Sequence, residues 1–172
     1  MFNWLCPDLY LNSIFEIKPE FLRQKGIRGV IVDLDNTLVP WNEARVNKDI
    51  SEWFQGFKDL GIKLCIVSNN KKHRVLTFGE KIGIPTIYKA KKPRKKSFLK
   101  GMQILKTKPS NTAVIGDQIF TDILGGNRLG LYTILVIPIS KKEFLWTRLM
   151  RSIEKAVLNF LIKKGHLTPP ER

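Results

Sequence analysis

The chain is short of acid. Fifteen Asp and Glu residues stand against thirty Lys and Arg, which leaves a net charge of +15 over 172 residues. That excess predicts attraction to something polyanionic: nucleic acid, an anionic membrane surface or a phosphorylated substrate. Cysteine is nearly absent. Only Cys6 and Cys65 occur, far apart, and Cys65 sits in the apolar run Leu64-Cys65-Ile66-Val67, where it reads as a small buried hydrophobe. Such usage argues against a disulfide framework and for a reduced, cytoplasmic protein. No apolar run approaches the roughly 20 residues that a membrane-spanning helix needs, and no basic stretch followed by an apolar core marks a signal peptide. Repeats and low-complexity segments are missing too. The two histidines, His73 and His166, have no partner pattern and read as ordinary surface or packing residues. What remains is a chain long enough for one α/β domain and short for two.

The stretch around which the rest is organised is Gly29-Val30-Ile31-Val32-Asp33-Leu34-Asp35-Asn36-Thr37-Leu38. A short β-branched run of this kind suits a strand buried on both faces of a parallel sheet. If the chain bends at its end, Asp33 and Asp35 can converge on a ligand beyond the strand's carboxyl end. Two nearby carboxylates repel unless a cation or proton intervenes. The same Asp-x-Asp is also common as a turn and helix-capping element.

Further strands are expected at Lys63 to Val67, Thr86 to Tyr88, Ala113 to Ile115 and Tyr132 to Ile137, five in all. Helices are expected over about Val46–Leu60, Lys72–Ile82, Lys95–Lys106 and Thr121–Leu129. In the first of these helices Ile50, Trp53, Phe54, Phe57 and Leu60 point to the core; in Lys95–Lys106, Phe98, Leu99, Met102 and Leu105 do. The alternation indicates β-α-β units, an α/β fold and a mostly parallel sheet. Residues 1–28 form an aromatic-rich arm that either packs across the sheet edge or faces a membrane. Residues 29–140 form the core. Residues 141–172 form a basic amphipathic helix, from about Glu143 to Lys164, and a frayed tail. Its apolar positions Leu145, Leu149, Ile153, Ala156, Val157, Phe160 and Leu161 lie either in a membrane interface or against the sheet.

In a parallel sheet the strand ends share one edge, which gathers Asp33, Asp35, Ser68, Lys92, Asp117 and Asp122. Carboxylates for Mg²⁺, a hydroxyl and an ammonium for phosphate oxygens make the set that phosphoryl transfer requires. Lys91 competes with Lys92 for the last role.

In this order the motifs resemble the haloacid dehalogenase (HAD) superfamily. They are Asp33-Leu34-Asp35-Asn36-Thr37, Ser68 after a strand, Lys92 before Pro93, and Gly116-Asp117-Gln118-Ile119-Phe120-Thr121-Asp122. More narrowly the chain resembles the YqeG-like group of subfamily IIIA phosphatases, which is related to mitochondrial phosphatidylglycerophosphate phosphatases. The resemblance implies a HAD-like Rossmannoid three-layer sandwich and an aspartyl-phosphate mechanism with Asp33 as nucleophile and Asp35 as acid and base. It also implies Mg²⁺ on Asp33, the Asp35 carbonyl and Asp117, phosphate contacts from Ser68, Asn69 and Lys92, and supporting roles for Thr37 and Asp122. About 30 residues separate Thr37 from Ser68 and about 23 separate Ser68 from Lys92, all used by expected helices and strands. No substantial cap domain fits. An uncapped site favours a large substrate, above all a phospholipid head group, with peripheral contact to an anionic membrane at its inner face. The alternatives are a soluble phosphatase on nucleic-acid ends, phosphoproteins or metabolites, and an RNA- or ribosome-binding protein with a vestigial site.

Overall fold

The computed structural model describes residues 4–43, 45–140 and 145–171. Phe2, Glu143, Phe144 and Arg172, which figure in the expected arm, helix and tail, lie outside them, as do the side chains of Leu145, Trp146 and Arg148.

Six strands form one parallel sheet: β1 (Leu9–Leu11), β2 (Gly29–Val32), β3 (Lys63–Val67), β4 (Thr86–Ile87), β5 (Thr112–Gly116) and β6 (Tyr132–Val136), in the order β1-β6-β5-β2-β3-β4. Five were expected. The sixth comes from the N-terminal arm, whose Leu9-Tyr10-Leu11 runs beside Ile134-Leu135-Val136. Its three residues have no β-branched signature, and its pairing is set by long-range contacts. Asp8 donates its N–H to the Thr133 carbonyl (2.9 Å) and accepts from the Thr133 N–H (2.7 Å), while the Ile137 N–H reaches the Leu11 carbonyl (3.1 Å). The arm is held a second time where Trp53 Nε1 donates to the Ile14 carbonyl (2.8 Å).

The central strands are buried on both sides, as an α/β sheet requires. Val30, Val32, Leu64, Ile66, Ala113 and Ile115 meet α1 (Pro19–Gln24), α2 (Lys48–Asp59) and α3 (Lys72–Ile82) on one face. Ile31, Cys65, Val67 and Val114 meet α4 (Lys95–Leu105) on the other. In α2, Ile50, Trp53, Phe54 and Phe57 are buried, at helical spacing, and the Asn47 side chain caps the first turn by accepting the Ile50 N–H (2.9 Å). In α4, Phe98, Met102 and Leu105 are buried but Leu99, expected inside, is exposed. Burial pushes the Cys65 thiol up to about 12, so it stays protonated and inert.

The last helix, α6 (Leu145–Lys163), departs most from expectation. It packs on the α4 side of the sheet through Val157 and Leu158, and Leu161 is buried as well. The other described positions of the expected apolar face look outward: Leu149 is 55%, Ile153 45% and Phe160 39% exposed, and Ala156 is exposed with them. The inward face is shared instead with a buried Glu154 and a half-buried Arg151. Apolar periodicity locates a stripe but not its partner, and here the helix has apolar residues on two adjoining faces. The tail is docked, with Leu167 buried and Asn12 Nδ2 donating to the Glu171 carbonyl (2.7 Å). Among the described residues no helix is long and apolar enough to cross a membrane.

This orientation of α6 predicts two unequal substitutions. Leu161→Ala, which empties a buried position, should lower unfolding free energy by roughly 2–5 kcal/mol in urea titration. Ile153→Ala, on the outward face, should stay within about 0.5 kcal/mol of the parent.

Candidate active site

The site begins where β2 ends. The Asp33 N–H makes the last rung to β5, donating to the Ile115 carbonyl (2.9 Å). The chain then reverses: Asn36 adopts a left-handed φ of 62° and its N–H reaches the Val39 carbonyl (2.7 Å). Asn tolerates that region better than most residues. The bend separates Asp33 and Asp35 into two groups of partners.

Asp33 belongs to a buried cluster with Asp117 and Asp122, one carboxylate oxygen of each lying within 4.8 Å of the others. Lys92 Nζ bridges two of them, at 2.6 Å from Asp33 Oδ1 and 2.6 Å from Asp122 Oδ1. Thr37 Oγ1 donates to Asp117 Oδ1 (3.2 Å). The Asp122 carboxylate lies directly over Gly116, where an added Cβ would come within 2.2 Å of Asp122 Cγ. Any side chain at 116 would therefore push Asp122 out. A π-helical turn, Ile119–Ile123, replaces the start of the expected helix, which continues as α5 (Leu124–Asn127). The wide turn lets both Asp122 and Ile123 donate to the Gln118 carbonyl and swings Asp122 back under β5.

The second group surrounds Asp35. Arg74 Nε donates to its Oδ1 (2.6 Å), while Asn70 Nδ2 (2.9 Å) and Ser68 Oγ (3.3 Å) donate to its Oδ2. Arg74 also donates to the Pro40 carbonyl (2.8 Å), tying α3 to the loop after β2. Asn69, expected on phosphate, is committed elsewhere. Its Oδ1 accepts the Lys92 N–H (2.7 Å) and its Nδ2 donates to the Lys92 carbonyl (3.4 Å). Together with Ala90 N–H on the Ser68 carbonyl (3.0 Å), this clamps the lysine loop to the end of β3. That clamp aims Lys92 inward and leaves Lys91 exposed.

Sequence reading missed two cations. Arg74 lies six residues beyond Ser68 with nothing to distinguish it from its basic neighbours. Arg151, counted with the solvated charges of α6, instead sends its guanidinium onto Asp117 Oδ2 and the Asp117 carbonyl, and onto Glu154 Oε2 (3.0 Å). The signal that could have found it is the i,i+3 Arg-Glu pair inside an apolar helix.

Burial raises the Asp33 and Asp117 carboxyls well above the ordinary range, with Lys92 and Arg151 respectively pulling them back. Burial works against the Lys92 charge, but Asp122 and Asp33 outweigh it and hold the ammonium more firmly than usual. Three buried carboxylates against these cations leave room for more positive charge. Hard oxygen donors closing on one point suit a divalent cation of the Mg²⁺ type. Asp35's carboxylate is not part of that cluster.

Removing the bridging ammonium should be costly. Lys92→Met should destabilise the protein by roughly 3–5 kcal/mol in urea, the scale of a broken buried pair. Lys91→Met should change it by no more than about 0.5 kcal/mol.

The comparisons with known proteins agree with this geometry. A probable phosphatase, YqeG, of Bacillus subtilis (strain 168) is 45% identical over 165 residues, 96% of each chain. A phosphatidylglycerophosphate phosphatase of Arabidopsis thaliana, chloroplastic and mitochondrial, is 28% identical over 95% of this chain, which spans 50% of that relative's length. Among solved structures, an uncharacterized Listeria monocytogenes protein (TM-score 0.53, 20% identity, 80% of this chain and 99% of that one) shares the fold. So does the cobalt-bound deoxy-D-mannose-octulosonate 8-phosphate phosphatase of Haemophilus influenzae (TM-score 0.50, 14% identity, 80% and 90%). The sequence profile of the family described as mitochondrial PGP phosphatase matches residues 3–139. With its sheet, its strand-end carboxylates and these relatives, the chain belongs to that family and is a phosphoric monoester hydrolase of HAD fold.

Proposed function

We propose that this protein is a Mg²⁺-dependent phosphatidylglycerophosphate phosphatase that works at an anionic membrane surface. The observation that carries the chemistry is the buried set Asp33, Asp117 and Asp122 with Lys92 between two of its members. Asp33 and Asp117, with the Asp35 carbonyl, would hold the cation, which when bound offsets the repulsion between a carboxylate and a phosphate dianion. An Asp33 oxygen attacks phosphorus in line, the bond to the leaving oxygen breaks, and Asp35 gives that oxygen a proton. Asp35, now a carboxylate again, takes a proton from water. That water attacks phosphorus, the bond to Asp33 breaks, and phosphate leaves. Arg74 and Asn70 donate to the Asp35 carboxylate and fix its position. Ser68 and Lys92 would hold the transferred oxygens. Asp122 and Thr37 orient Lys92 and Asp117.

A lipid head group is favoured by the shape and lining of the edge. Among the described residues no cap separates the strand ends from the surroundings: the intervals after Thr37 and after Ser68 are filled by α2, β3, α3 and β4. Exposed apolar residues follow the strand ends on both sides, Ile137 and Ile139 after β6 and Tyr88 after β4. Beside Tyr88 a hollow of about 310 Å³ is lined by Lys89, Lys91, Arg94, Lys96 and Lys100, with no acid among its lining residues. Helix α6 borders the same site through Arg151, which reaches Asp117, and carries an exposed apolar stripe on its outward face. Apolar contact plus basic charge is the pair of attachments a peripheral membrane protein needs. The basic hollow also suits a nucleic-acid end, the second reading.

Phosphate release separates the two. With Mg²⁺ and phosphatidylglycerophosphate in mixed micelles, the parent should release phosphate faster than from p-nitrophenyl phosphate or a 3′-phosphorylated oligonucleotide. Asp33→Asn should lose roughly 10³-fold or more in kcat. Preference for the oligonucleotide would move the assignment to the soluble reading. A thermal melt tests the cation separately: Mg²⁺ should raise the Tm of the parent, as a ligand of the native state must, and should not raise that of Asp117→Asn.

A further inference from the structure

Arg151 takes no step in the chemistry above, yet it sits on a carboxylate which that chemistry needs. Its guanidinium is bonded to Asp117 Oδ2 and to the Asp117 carbonyl, while Thr37 uses Oδ1. The Asp117 side chain is fully buried and Arg151 is largely so. A small hard cation draws on carboxylate oxygens at about 2.1 Å. At Asp117 it would meet a positive group already in place. An arginine cannot relieve that conflict by losing its proton. Lys92 faces no such choice, because it lies between two carboxylates and keeps one when the other is shared. Arg151 also has a second acceptor of its own: Glu154 Oε2, one turn along the helix at 3.0 Å, stays with it wherever the helix goes.

Among its described side chains the helix is anchored unevenly. Its later half is fixed by Val157 and Leu158, which pack on the sheet-side cluster, and by the buried Leu161. Its earlier half turns Leu149 and Ile153 outward and meets the body through Arg151 and through Glu154, which accepts the Phe120 N–H (3.2 Å). That half can move without emptying a buried apolar position at either Leu149 or Ile153.

We propose that Arg151 is a built-in competitor for the divalent cation. Seated on Asp117, it holds the site closed to metal; metal entry displaces it and loosens the first half of α6. The inference rests on the reading of Asp117 as a metal ligand and adds a residue that sets the affinity of that ligand. Coupling of this kind is reciprocal: whatever lifts α6 tightens metal binding, and metal binding frees α6.

The test is Mg²⁺ titration of the full chain by calorimetry, parent beside Arg151→Gln. Removal of the competitor should tighten Mg²⁺ binding by roughly 5- to 150-fold, the usual span of such couplings. Equal or weaker binding by Arg151→Gln overturns the proposal. No Mg²⁺ binding by either protein overturns the metal reading, and this inference with it. A second measurement needs no variant: hydrogen exchange of the parent with and without saturating Mg²⁺. Faster exchange at the amides of residues 149–156 in Mg²⁺ supports displacement, and unchanged or slower exchange there overturns it.

Discussion

The structure turns on a single ammonium group. Lys92 lies between Asp33 and Asp122 at 2.6 Å from each, buried with both. Burial drives the Asp33 carboxyl toward its protonated form, and the ammonium beside it pulls the other way. The features around the lysine serve its placement. Asn69 grips its backbone at both ends, Gly116 leaves the space in which Asp122 lies, and the π-helical turn brings Asp122 back over β5. These are backbone devices more than packing devices. That is why the site keeps its shape at the open edge of a sheet, where little apolar burial is available to hold it.

Much of this was legible in the chain. The β-branched run before Asp33, the spacing of strands and helices, and the four strand-end motifs each report a local rule, and local rules survive folding. The central strands, the buried face of α2 and, Leu99 apart, that of α4 follow from them. Asp33, Asp117, Asp122 and Lys92 meet because parallel strands end along one edge. What was not legible depends on which surfaces meet. Leu9-Tyr10-Leu11 is a strand because β6 offers it a free edge and Asp8 locks the register. Arg74 and Arg151 are site residues because α3 and α6 pass beside two carboxylates. Nothing in their own sequence neighbourhoods sets them apart from the other lysines and arginines of so basic a chain. Asn69 illustrates the reverse: its position after Ser68 suggested phosphate, but the Lys92 backbone has claimed its amide.

The face that α6 buries follows from the same cluster. An apolar stripe of Leu149, Ile153, Ala156 and Phe160 would gain more by burial against the sheet than the face carrying Arg151 and Glu154, if hydrophobic area alone decided. It does not alone decide, because Asp117 is buried and needs a cation. Turning the helix to bury the stripe would carry Arg151 away and leave that carboxylate with no counter-charge from this helix, at the high cost of a buried unpaired charge. Electrostatic demand at one residue thus sets the rotation of a 19-residue helix and leaves its greasy side exposed. A divalent cation on Asp117 would meet that demand by other means. The rotation of α6 would then be free to follow apolar contact, whether with the sheet or with a lipid surface. On this view the exposed stripe and the arginine on Asp117 are two consequences of one unmet charge.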